Sequence, residues 1–192
     1  SVPLRKPEKR WTDIRNKHEL YCAGHFFEAA VAYYQTTGKR KILDVAIRLA
    51  DYIDSVFGPD KKIDVPGHEE IEIGLVKLYR VTGDEKYLRL AKFFLDERGR
   101  AERRTIYGQY HQDHKPVVEQ DAAVGHAVRA GYLYCGMADV AALTGDDSYV
   151  KALDRIWEDV VSKKLYITGG VGARRSGESF GEDYELPNKT AY

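Results

Sequence analysis

Thr82-Gly83-Asp84-Glu85-Lys86-Tyr87-Leu88 decides the fold, because the same pattern stands twice more, as Thr37-Gly38-Lys39-Arg40-Lys41-Ile42-Leu43 and as Thr144-Gly145-Asp146-Asp147-Ser148-Tyr149-Val150. After each Thr a large residue occupies the fifth position (Ile42, Tyr87, Tyr149) and a branched aliphatic the sixth (Leu43, Leu88, Val150). A small or aliphatic residue occupies the ninth (Ala46, Ala91, Leu153). That spacing predicts one apolar face of a helix. The Gly can take the left-handed conformation that ends a preceding helix, and Asp84 or Asp146 can cap the next one. Lys39 gives the first copy a weaker cap.

Outward from each turn, the stretches before it (about His25 to Thr36, Glu69 to Val81 and Ala127 to Leu143) are rich in Ala, Gly, Val, Leu and Tyr on several faces. They read as inner helices, with Tyr33, Tyr34, Tyr79, Tyr132 and Tyr134 mostly as core. The stretches after each turn set charges such as Arg48, Asp51, Lys92, Asp96, Asp154 and Glu158 between apolar positions, as outer helices half in water do. Antiparallel hairpins with a buried first member and an amphipathic second predict an all-α fold, an α/α toroid. A closed ring takes about six pairs, so residues 1–192 would make one partial domain, roughly half of an (α/α)6 barrel and incomplete at both ends. An open α-solenoid is the alternative. Strand content should be low, limited to short pieces near Thr105 to Tyr110 and Lys164 to Thr168.

The 192 residues carry 30 Lys plus Arg against 30 Asp plus Glu, a net charge of zero without a basic block, which argues against nucleic acid or an anionic membrane as partner. No apolar run approaches the length that spans a bilayer, and the first residues have no signal-peptide core. The only cysteines, Cys22 and Cys135, are far apart; they predict buried structural thiols and a reducing, cytoplasmic setting, with a periplasmic or secreted one as the alternative if a signal peptide precedes this sequence. Half a barrel would expose apolar helix flanks, so self-association is expected.

A Gly-His pair accompanies each inner stretch: Gly24-His25, Gly67-His68 and Gly125-His126. Equivalent positions of a toroidal repeat share one rim, so the three imidazoles are expected to gather there. They suit a polyhydroxylated ligand, because a neutral imidazole donates from one nitrogen and accepts at the other. His18 could reach the same rim, while His111 and His114 in a polar loop are weaker candidates. The spacing of these histidines is not that of a zinc site, and no metal ligand is assigned in this chain. The richest carboxylate loop runs Gly177-Glu178-Ser179-Phe180-Gly181-Glu182-Asp183-Tyr184-Glu185. Its aromatic residues point to an ordered segment able to hold an acid-base carboxyl, without choosing among the four.

Longer segments carry a family resemblance. They are His18 to His25, Val65-Pro66-Gly67-His68-Glu69-Glu70-Ile71-Glu72, Asp113-His114 with Pro116-Val117, Ala123 to Ala130, Tyr166 to Gly172 and Gly177 to Tyr192. Together they resemble glycoside hydrolase family 127 over nearly the whole chain after Arg15. The resemblance implies a retaining β-L-arabinofuranosidase with an (α/α)6 barrel, acting on terminal L-arabinofuranose. A carboxylic acid would protonate the leaving oxygen, and a zinc-bound cysteine thiolate would attack the anomeric carbon. It puts Glu178 on the acid/base position and His68 and His126 on sugar-binding positions, with His18 alongside them. The family's motif continues after Ala191-Tyr192 into a Glu-x-Cys and a later Cys-Cys that hold zinc; this chain has neither, so alone it should be inactive. A different toroid sugar enzyme, such as an epimerase or an unsaturated-uronide hydrolase, and a non-catalytic carbohydrate-binding scaffold are the competing readings.

Overall fold

A computed structural model describes residues 5–191; residues 1–4 and 192, the ends of the expected 1–192 domain, lie outside it. The chain divides into two compact units, Ser1–Phe94 and Leu95–Tyr192. Among the described residues the fold is carried by α-helices α1 (Glu19–Thr37), α2 (Lys41–Val56), α3 (Ile71–Thr82), α4 (Glu85–Glu97), α5 (Ala127–Thr144) and α6 (Asp147–Asp159). Among the described residues the only β-pairing is isolated bridges, one of them Gly108 with Asp113. Both stretches expected to be extended therefore lack strands, and Lys164 instead ends a π-turn, Val160–Lys164.

Each hairpin is closed by the same chemistry. Gly38, Gly83 and Gly145 have φ of 69°, 72° and 72°, and their N–H groups donate to the carbonyls of Tyr34, Tyr79 and Ala141. The hydroxyls of Thr37, Thr82 and Thr144 donate to the carbonyls of Tyr33, Leu78 and Val140. The same three oxygens accept from the N–H groups of Lys39, Asp84 and Asp146, so each Thr ties the end of one helix to the entry of the next. Asp84 and Asp146 accept from the backbone N–H two residues on, whereas the first copy has no side-chain cap and its outer helix starts one position later.

That slip changes the buried face. Leu43 and Ala46 are buried in α2, but Ile42 is 38% exposed; in α6 Tyr149 and Ala152 are buried and Val150 is 42% exposed. Only in α4 do the fifth, sixth and ninth positions (Tyr87, Leu88 and Ala91) all lie inside.

In the first unit the inner helices α1 and α3 pack closely, because Gly24 and Gly74 let their backbones meet: a Cβ on Gly74 would lie 2.7 Å from the Gly24 carbonyl oxygen. The core here is Phe27, Ala30, Val31, Leu43, Ile53, Ile71, Leu75 and Leu78, joined by Phe57 and Phe94. In the second unit α5 and α6 pair over Ala123, Ala127, Ala130, Ile156 and Phe180.

Two expectations fail by helix face. Cys22 and Cys135 are exposed, because Leu20, Ala23, Leu133, Gly136 and Met137 take the inward positions around them. Tyr33 is exposed, and Tyr34, Tyr79, Tyr132 and Tyr134 are half-buried; smaller side chains fill the core, and the deeply buried tyrosines are Tyr87 and Tyr149, which donate to Asp51 and Asp96.

Candidate active site

In the first unit the loop before α3 is fastened to the segment before α1. The Gly67 N–H donates to the Ile14 carbonyl at 3.1 Å, and a Cβ on Gly67 would come within 1.9 Å of the Arg15 carbonyl oxygen, so only glycine permits this approach. It brings His68 beside His18, with ring centroids 5.7 Å apart. Tyr21 touches both, at 4.3 Å from His68 and 5.8 Å from His18. Nδ1 of His68 meets the Glu69 carbonyl and Nδ1 of His18 the Asn16 carbonyl; a carbonyl oxygen only accepts, so in each ring Nδ1 carries a proton.

The expected equivalence of His25 with His68 and His126 does not hold. α1 begins at Glu19, earlier than the sequence pattern suggested, so His25 lies inside the helix while His18 immediately precedes it. The residue preceding an inner helix in each copy is therefore His18, His68 within the loop three residues before α3, and His126. His25 turns instead toward carboxylates, 3.3 Å from Glu70 and 3.5 Å from Glu28. Glu70 is wholly buried, and that burial, reinforced by the Glu28 carboxylate beside it, pushes the Glu70 carboxyl up to about 10. Partial burial works against ionisation of Glu28, yet the adjacent Glu70 and the paired Lys77 hold its carboxyl below the ordinary range. Sequence reading missed this cluster: three acids in Glu69-Glu70-Ile71-Glu72 at the start of an apolar helix were the available signal.

In the second unit His126 is the N-cap of α5. Its Nδ1 accepts from the N–H groups of Val128 and Arg129 at 3.2 and 3.3 Å, which forces the ring proton onto Nε2. Nε2 lies 3.2 Å from Oε2 of Glu178 and donates to it. Burial first, and then the charge of Arg129, lower the pKa of His126, which keeps the ring neutral and this tautomer in place.

The Glu178 loop is fixed to the same place. Ser179 exchanges backbone hydrogen bonds with Arg174, and Phe180 N–H donates to the Gly125 carbonyl at 2.9 Å, one residue before His126. Glu178 itself has φ of 47°, a left-handed conformation unusual for a residue with a side chain. Tyr110 borders the pair, its ring 5.7 Å from that of His126 and 4.8 Å from the Arg129 guanidinium. The other acids of the loop have cationic partners: Glu182 and Glu185 pair with Arg174, and Asp183 with Lys163 and Lys164. Glu178 faces a neutral histidine instead and its side chain remains 54% exposed. Tyr110 and Arg129 were not foreseen. His111 is buried in a loop knot, where its carbonyl accepts from Arg98 and the neighbouring Asp113 accepts from Gly99 and Tyr107. That structural place accounts for His111 without a ligand.

A family model for the GH127 catalytic domain of β-L-arabinofuranosidases matches residues 2–192. The chain belongs to glycoside hydrolase family 127. A relative in this family, the non-reducing end β-L-arabinofuranosidase of Bifidobacterium longum subsp. longum, is 41% identical over 95% of this chain and 31% of its own length. The solved structure of a GH127 β-arabinofuranosidase superposes with a TM-score of 0.90 at 59% identity, covering 95% of this chain and 29% of that one. Another, a GH127 β-L-arabinofuranosidase from Geobacillus stearothermophilus T6, gives 0.91 at 48% identity over 98% of this chain and 32% of that one. The chain thus spans about a third of the length of these relatives. Its helical hairpins and these matches agree with the all-α, toroid-fragment class expected from the sequence.

Proposed function

We propose that the whole protein carrying this chain is a retaining β-L-arabinofuranosidase and that Glu178 is its general acid/base. The observation that carries this reading is the pairing of Glu178 with a neutral His126. Of the four acids in the loop, it is the one without a lysine or arginine partner among the described residues, and the His126 Nε2–H fixes one carboxyl oxygen while leaving the group open to solvent and ligand. A carboxyl locked to a cation would stay ionised and could not give up a proton to a leaving oxygen; one held by a neutral donor can alternate between acid and base.

His18 and His68, side by side at the Tyr21 ring, suit hydroxyl groups of a furanose. The relatives' names favour L-arabinofuranose as the substrate class.

The thiolate-bound zinc of the family mechanism finds no fit in these residues. Cys22 and Cys135 are both exposed, and the one cluster of metal-ligating groups among the described residues, His25, Glu28 and Glu70, contains no cysteine. Zinc and its nucleophilic cysteine are accordingly proposed to come from outside this chain, and the step assigned here is proton transfer alone.

The test is Glu178→Gln in the whole enzyme, assayed on β-L-arabinofuranosides with a poor and with an activated leaving group. Loss of activity should be severe on the first and milder for cleavage of the second, which needs little protonation. Equal activity of variant and parent on the poor leaving group would remove Glu178 from this role.

A further inference from the structure

In the first unit one histidine stands between two neighbouring carboxylates. His25 and Glu28 stand one turn apart on α1, and Glu70 comes from the position just before α3. Nδ1 of His25 lies 3.5 Å from Oε2 of Glu28 and 3.3 Å from Oε1 of Glu70, and one ligand atom from each residue falls within 4.8 Å of the other two. A tetrahedral ion with bonds of about 2.0–2.1 Å holds its ligand atoms about 3.3–3.4 Å apart, so the two histidine edges already have the length such an ion requires.

A separate observation concerns Glu70 itself. Its residue is 0% exposed, and neither carboxylate oxygen has a hydrogen-bond donor. The side chain is held against α1 where Gly24 clears the space: a Cβ there would lie 1.6 Å from Oε2. The carboxylate is therefore both dry and fixed in its aim at His25. Ionised carboxylates only accept, so two of them side by side need a proton or a cation between them. Lys77 pairs with Oε1 of Glu28, which leaves Oε2 of that residue turned to His25.

We propose that His25, Glu28 and Glu70 form a binding site for a divalent cation of the zinc class, distinct from any thiolate-bound ion. One imidazole and two carboxylates are a donor set that such ions accept, and the half-exposed side of His25 leaves a fourth position for water.

The experiment is calorimetric titration of Zn2+ into the metal-stripped chain, beside Glu70→Gln, His25→Ala and a Cys22→Ser/Cys135→Ser double variant. One equivalent should bind, at least about tenfold to a hundredfold more weakly in either ligand variant and unchanged without the cysteines. No binding, binding indifferent to both Glu70→Gln and His25→Ala, or binding lost with the cysteines would each overturn the proposal. Circular dichroism checks that Glu70→Gln folds; if it does not, His25→Ala, altered at a partly exposed side chain, decides alone. A flat titration together with a Glu70→Gln variant more stable than the parent would assign the gap to a proton and also overturn it.

Discussion

Glu70 and Glu178 each pair with a histidine, one within an inner helix and one capping another, yet their surroundings give them opposite properties. Glu70 is enclosed by α1 and α3 with no exposure, and Glu178 stands on a loop with its side chain half open. His25 meets Glu70 from within a helix, where its backbone N–H is already committed to that helix; His126 meets Glu178 from a cap position, where the helix N–H groups choose its tautomer. Burial fixes a carboxyl in one protonation state or calls for an ion, whereas a half-open carboxyl against a neutral donor can exchange its proton. The difference separates a residue suited to binding from one suited to turnover.

The largest effect that would sharpen this contrast belongs to Glu178. Removing a general acid costs about 10²–10⁴-fold, and kcat of Glu178→Gln in the whole enzyme should fall within that range on a substrate with a poor leaving group. Next is the tight approach around Glu70. Gly24→Ala would press a methyl into Oε2 of Glu70 and to within 2.7 Å of the Ile71 Cα, so urea denaturation should record a loss of about 1–3 kcal/mol. A midpoint unchanged from the parent would mean that the two inner helices are not held as closely as described.

A smaller effect follows from the histidines of the second unit. Burial lowers the pKa of both His126 and His114 from the ordinary 6.5, so the unfolded chain binds these protons more readily than the folded one. Their contribution is complete above about pH 6.5 and is lost as the pH falls from there through the lowered folded values. Thermal midpoints should therefore drop between pH 7 and pH 5, less so in His126→Asn. The smallest effect tests the cap alone: His126→Ala should cost about 1 kcal/mol of stability, and His126→Asn, whose side-chain oxygen can accept from the same N–H groups, about half of that or less. Equal losses in the two variants would deny His126 its capping role.

Much of the helical plan was legible because it depends on local chemistry. Thr-Gly-Asp closes a helix and caps the next wherever it occurs, and the copy with Lys39 in place of Asp showed both the weaker cap and the later start that this loss implies. Positions along a face were less legible. Tyr and Cys at helical spacing look like core, but neighbours such as Leu20, Leu133 and Met137 compete for the same interior and win it.

The histidine register shows where local reading ends. The Gly24-His25 pair matches Gly67-His68 and Gly125-His126 letter for letter, yet a helix that begins at Glu19 puts it in a different environment. By itself, the sequence determined the repeated hairpins, the family and the short set of groups able to carry chemistry, because turns, caps and periodicity act between residues close in the chain. Only the tertiary structure decided which carboxylate meets which histidine, which acids are tied up by lysine and arginine, and that Glu70 is buried, because those properties arise between segments tens of residues apart.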